Sequence, residues 1–68
     1  MNLALKLKIL ESKKPQIHLA HVLGIPEPYL SKIVRGWVDP KPDLKKRIAD
    51  ALGVQVITIF PEEAKINP

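Results

Sequence analysis

The chain contains no cysteine. That excludes a disulfide framework and any zinc finger whose metal is held by thiolates. Long apolar runs are missing too. The richest, Val56-Ile57 with Ile59-Phe60 beyond Thr58, falls far short of the ~20 residues that a membrane-crossing helix needs. The first ten residues are apolar but carry Lys6 and Lys8, and no small-residue cleavage site follows, so they lack the form of a signal peptide. The cytoplasm is the expected address, with no membrane partner. There are no internal repeats and no low-complexity tract. Nor is there a glycine-rich phosphate loop, a carboxylate pair framed by an apolar pocket, or a nucleophile with a base beside it. Ser12 and Ser31 are isolated hydroxyls. The sequence therefore predicts no catalytic residue, no cofactor and no small-molecule substrate: a binding protein rather than an enzyme.

A chain of 68 residues makes one domain. So short a chain buries only a modest core, and close helix packing or a partner subunit must supply part of its stability. With 46% apolar and 26% charged residues it has the composition of a globular rather than a disordered protein. Seven Asp and Glu against eleven Lys and Arg give a net charge of +4, a balance that leans toward an anionic partner.

Prolines and glycines divide the chain into short helical pieces. Asn2 to about Ser12 is rich in the good helix formers Leu, Ala and Lys. Leu3, Leu7 and Leu10 share one helical face and Leu5 and Ile9 lie on the far side, although the alternation of Leu3, Leu5, Leu7 and Ile9 also fits a strand. Pro15 suits the first position of a second helix, with Leu19, Ala20 and Leu23 on one face and Gly24 as its stop. Pro26 and Pro28 are compatible with a helix only in its first turn, so a third piece begins at about Pro26 and runs to Gly36. Asp39-Pro40 marks a turn. Pro42 and Asp43 open a fourth helix with Leu44, Ile48, Ala51 and Leu52 on one face, and Gly53 ends it. Val54 to Phe60 is β-branched and has strand propensity. The domain is expected to span residues 1–61, with 62–68 a short flexible tail.

The run Gln16 to Gly36 carries the functional signal. A helix of about eight residues, a glycine turn and a second helix form a helix-turn-helix unit. Ala20 is small where two helices cross, Gly24 permits the positive φ of the turn, and Leu19, Leu23, Ile25, Leu30 and Ile33 form the seam. With Gln16-Ile17-His18-Leu19-Ala20, Leu23-Gly24-Ile25, Tyr29-Leu30-Ser31-Lys32-Ile33, Arg35-Gly36 and Pro40, the chain resembles the Cro and phage-repressor (XRE-like) helix-turn-helix family. The similarity continues through Leu44, Ile48-Ala49, Ala51-Leu52-Gly53-Val54 and Phe60 and so covers nearly the whole chain.

That resemblance implies an all-α, lambda-repressor-like bundle of four or five helices. It makes the third the recognition helix and the β-branched stretch a short fifth helix. It also implies a sequence-specific DNA-binding transcriptional regulator, a repressor, whose partner is double-stranded DNA. The phosphate contact of the second helix falls on Gln16. Positions that face base edges fall on Glu27, Pro28 and Ser31, with Lys32 one step on, and Arg35 and the loop through Lys41 match backbone-contacting positions. Three departures stand out: Pro26 replaces the usual Ser or Thr cap of the recognition helix, Pro15 does the same for the second helix, and Val34 stands where an acidic residue often precedes the Arg-Gly pair.

Other readings of the same residues stay open. Lys32 and Arg35 could be a solvated helix face, and Glu27 could accept from a cytosine amino group or complement the helix dipole. Tyr29 is expected to be half-buried, with its hydroxyl near the DNA backbone. Trp37 could pack on the core, join an interface or lie against a sugar-phosphate strand. His18 and His21 have no Cys or carboxylate at matching spacing to complete a metal set, so no metal is expected. One recognition helix reads few base pairs, which points to a homodimer on a palindromic site. Leu5, Ile9, Val56, Ile57 and Ile59 could form its interface or fill a single core. A rival class is a protein-interaction module, such as an antitoxin or anti-repressor using the same fold.

Overall fold

A computed structural model of the protein describes residues 1–62; the expected flexible tail, apart from Glu62, lies outside the described residues. Five helices follow one another: α1 (Leu3–Glu11), α2 (Gln16–Leu23), α3 (Glu27–Val34), α4 (Pro42–Leu52) and α5 (Val56–Ile59), with no strand among the described residues. α2 packs on α3 and α4, α1 on α3 and α5, and α4 on α5. No helix among these residues is long and apolar enough to cross a membrane. The all-α bundle expected from the sequence is what forms, in its five-helix version.

α1 is helical, and the alternating leucines do not form a strand. Its start is set by Asn2, whose Oδ1 accepts the Leu5 N–H at 3.0 Å, an N-cap of the preferred kind. The same residue ties three parts of the chain together. Its Nδ2 donates to the Ile59 carbonyl at 2.6 Å, and its backbone N–H donates to the Val34 carbonyl at 2.9 Å. This clamp presents the Leu5 and Ile9 side of α1 to the interior, where Leu5 is fully buried. The idea that Leu5 and Ile9 line a subunit interface is corrected by this burial, and so is the same idea for Ile59, which is also fully buried. Ile57 alone of the tail candidates is a large exposed hydrophobe.

Pro15 and Pro26 act one position earlier than the first helical position, at the caps where the resemblance put them, whereas Pro28 and Pro42 lie in the first turns of α3 and α4. Pro15 and Pro26 are extended N-caps of α2 and α3 without side-chain capping bonds, a shift within the ordinary uncertainty of helix ends. Leu19, Ala20 and Leu23 from α2 meet Leu30, Ile33 and Val34 from α3 in the core, joined by Ile48 and Ala49 of α4 and by Phe60. Ala51, grouped with Leu44, Ile48 and Leu52 on one face of α4, is exposed, while Ala49 and Lys45 are buried. Lys45 can lie there because Asp39 Oδ1 at 2.9 Å and Glu62 Oε2 at 3.1 Å neutralise it, while its ammonium stands 5.3 Å from the centre of the Phe60 ring. A buried charge is tolerated only with such compensation. The β-branched run becomes a single helical turn, closed by the Phe60 N–H on the Val56 carbonyl at 2.7 Å. Tertiary burial of Ile59 and Phe60 overrides strand propensity where the described residues hold no second strand to pair with.

Candidate nucleic-acid interface

The turn between α2 and α3 fixes the angle at which α3 is presented. Gly24 has φ 70, a conformation costly for any residue with a Cβ. Its N–H donates to His21 and the next N–H, of Ile25, to Ala20, both at 3.1 Å; this pair of bonds closes a helix end of the Schellman type. A Cβ at Gly24 would meet nothing within 4 Å, so the requirement is backbone conformation and not space. Arg47 of α4 adds a second stop: its Nη2 donates to the Leu23 carbonyl at 2.6 Å, placing a cation at the negative end of α2. Nothing in the sequence points to this contact, since the partners are 24 residues apart.

α3 buries Leu30, Ile33 and Val34. At 3.6 residues per turn, the opposite face carries Pro28, Ser31, Lys32 and Arg35. Pro28, Lys32 and Arg35 are exposed, and Ser31 and Glu27 are partly so. Tyr29 is half-buried and packs against the core, at the edge of that face. The end of α3 repeats the closing bonds of α2: Gly36 (φ 80) donates to Ile33 at 3.1 Å and Trp37 to Lys32 at 2.9 Å. The reversal sets the Trp37 ring beside Arg35, whose guanidinium carbon stands 5.1 Å from the ring centre. Trp37 is 68% exposed, so it does not pack into the core. A cation–π contact at such a surface site is worth about 0.5–1 kcal/mol and holds Arg35 at the end of the exposed face. Lys41 is the exposed N-cap of α4, beyond the loop that begins at Gly36.

Two of the expected contact residues touch each other. Gln16 Nε2 donates to Glu27 Oε2 at 2.9 Å, so the first residues of α2 and α3 meet. The two helix starts differ as anion sites. In α2 the N–H groups of Gln16 and Ile17 precede the first turn bond, made by His18 to Pro15 at 2.9 Å, and such leading groups suit a phosphate. α3 loses one donor to Pro28 and carries the Glu27 carboxylate in its first turn, which disfavours a phosphate there. Lys13 and Lys14, exposed in the turn that leads to Gln16, are basic groups that sequence reasoning left out; their closeness to Pro15 in the chain was the available signal. His18 and His21 are exposed on α2, and among the described residues no group of three or more His, Cys, Asp or Glu is placed to hold a metal.

A model of a family described as helix-turn-helix matches residues 5–58, which takes in every element that builds this face. No curated protein and no solved structure shows a significant match.

Proposed function

The chain belongs to the Cro- and phage-repressor-type (XRE-like) helix-turn-helix family, DNA-binding domains that are generally transcription regulators, and we propose that it is a repressor reading the major groove with α3. The carrying observation is the outward face of α3, Pro28-Ser31-Lys32-Arg35, joined to the start of α2 by the Gln16–Glu27 bond. In this reading Gln16 and the leading N–H groups of α2 hold a phosphate, and Arg35 and Lys41 hold the backbone farther along. Lys32 donates to guanine, and Glu27 accepts from a cytosine amino group. Ser31 reaches a base edge, Pro28 offers only apolar contact, such as with a thymine methyl, and Tyr29 approaches the backbone from the rim. Repression follows from occupancy, because a domain seated in the groove excludes other proteins from the same base pairs. The proposed role is binding in the cytoplasm, without catalysis or a small-molecule ligand. Two copies occupy half-sites about 34 Å apart, one turn of B-DNA.

Gel-shift titration against random and selected duplexes at two salt concentrations tests this. The expected result is a preferred sequence and an affinity that falls with salt at a log–log slope of about −0.9 per phosphate neutralised. Affinity that is flat with salt and indifferent to sequence would replace this reading with a protein-interaction module.

A further inference from the structure

α1 turns a second face outward. Leu3, Leu7 and Leu10 are 64%, 55% and 60% exposed, although three leucines on one stripe of a helix ordinarily mark a buried side. Their spacing, four residues and then three, keeps a seam directed at a neighbouring helix. On a helical projection Lys6 flanks this seam on one side and Glu11 on the other. Leu5 and Ile9, on the opposite side of α1, are committed to the chain's own core. The seam therefore has no use within the described fold.

We propose that this seam is where two copies of the chain meet, with their α1 helices parallel about the twofold axis. The inference rests on the dimer of the proposed function and names its interface. A parallel pair sets each leucine against its own equivalent, so all three layers close. It also sets Lys6 of one copy against Glu11 of the second, five residues on, and the reverse across the axis, which is the pairing that flanking charges make in parallel two-helix seams. An antiparallel pair brings Lys6 against Lys6 and leaves a leucine layer open. Within one chain Lys8 Nζ lies 3.1 Å from Glu11 Oε1, which leaves Oε2 for the second copy. Nine residues make a seam of only about 14 Å, so the contact is small and association is weak in the free chain. It tightens when two half-sites hold both copies on one duplex.

The chain has no cysteine of its own, which makes cross-linking a clean readout. Leu3→Cys, Leu7→Cys and Leu10→Cys should each form disulfide-linked dimers under mild oxidation, free and on the selected duplex, whereas Ile17→Cys, equally exposed on α2, should not. Linkage at only one of the three positions would overturn the parallel arrangement. Sedimentation of Leu7→Lys should show loss of the dimer with an unchanged circular dichroism melt at low concentration, because Leu7 faces solvent. Lys6→Glu and Glu11→Lys should each weaken the dimer and the double variant restore it; a Lys6→Gln variant that associates more tightly would reveal the antiparallel pair instead, because it removes a Lys6–Lys6 repulsion. If Leu7→Lys fills the two half-sites with the cooperativity of the unmodified chain, this interface is wrong and the dimer stands. If the unmodified chain is monomeric both free and on DNA, the dimer falls and this interface with it.

Discussion

α1 and α3 are helices of nearly equal length, nine and eight residues, and each gives one face to the same core. They differ in what remains outside. α3 keeps Pro28, Ser31, Lys32 and Arg35 outward; α1 keeps three leucines. The sequence separates the two faces of α3 without effort, because apolar and polar residues divide cleanly around it. On α1 both faces are apolar, so periodicity alone cannot say which is inside, and the face with more leucines is the one left in solvent. What decides is tertiary: Asn2 is bonded to Val34 and Ile59, and that clamp fixes the rotation of α1. An apolar face outside and a basic polar face outside suit different partners, a protein surface and a nucleic acid.

The largest effect expected is on the inner face of α1. Leu5→Ala removes a fully buried side chain and should cost about 2–5 kcal/mol through lost transfer energy and a residual cavity. Leu7→Ala, two residues farther along the same helix but facing solvent, should change the stability of the monomer by less than about 0.5 kcal/mol. Thermal melts at low and high protein concentration check both. Leu5→Ala should lower the midpoint at every concentration, and Leu7→Ala only where association contributes. Equal losses for the two at high dilution would mean that α1 is rotated from the position described.

Much of the fold was legible in the sequence because its punctuation is strong. The stops at Gly24, Gly36 and Gly53 and the proline starts bracket α2, α3 and α4 to within a residue or two. Less visible were features that depend on distant partners. Lys45 sits in the run Lys45-Lys46-Arg47 and looks like its neighbours. Burial against Phe60, Asp39 and Glu62 distinguishes it, and no local pattern announces that. The recognition face followed from the resemblance and helical spacing together. Spacing alone would have placed Lys32 and Arg35 outward but could not have said that Gln16 reaches Glu27.

A smaller effect is expected where the turn aims α3. Gly24→Ala should cost about 1–2 kcal/mol, since a Cβ there is free of clashes but forced into left-handed backbone; Gly24→Val should cost more. Ala20→Leu overpacks the crossing of α2 and should cost about 1–3 kcal/mol. Denaturant titration measures all three. An unchanged midpoint for Gly24→Ala would remove the conformational argument for the turn, because no steric one exists at that position.

The finest comparison lies within the outward face of α3, between positioning and reading. Arg35 stands at the helix end, steadied by Trp37, where a long side chain meets backbone more readily than a base edge. Lys32 and Glu27 stand nearer the helix start, and Glu27 is braced by Gln16. Phosphate contacts carry no sequence information, whereas base contacts do. Arg35→Ala should therefore weaken all duplexes about equally and reduce the salt slope by roughly one contact. Lys32→Ala and Glu27→Ala should each cost about 1–3 kcal/mol on the preferred sequence and much less elsewhere. Gln16→Ala should combine both behaviours, because it removes a phosphate donor and also frees the Glu27 carboxylate. Its effect and that of Glu27→Ala should then be non-additive by at least about 0.5 kcal/mol in a double-mutant cycle. Affinities of each variant for the preferred duplex and its single-base changes decide the matter. If Arg35→Ala altered base preference while Lys32→Ala and Glu27→Ala did not, the roles along α3 would have to be exchanged. Strict additivity of Gln16→Ala and Glu27→Ala would mean that their 2.9 Å hydrogen bond does not survive on DNA.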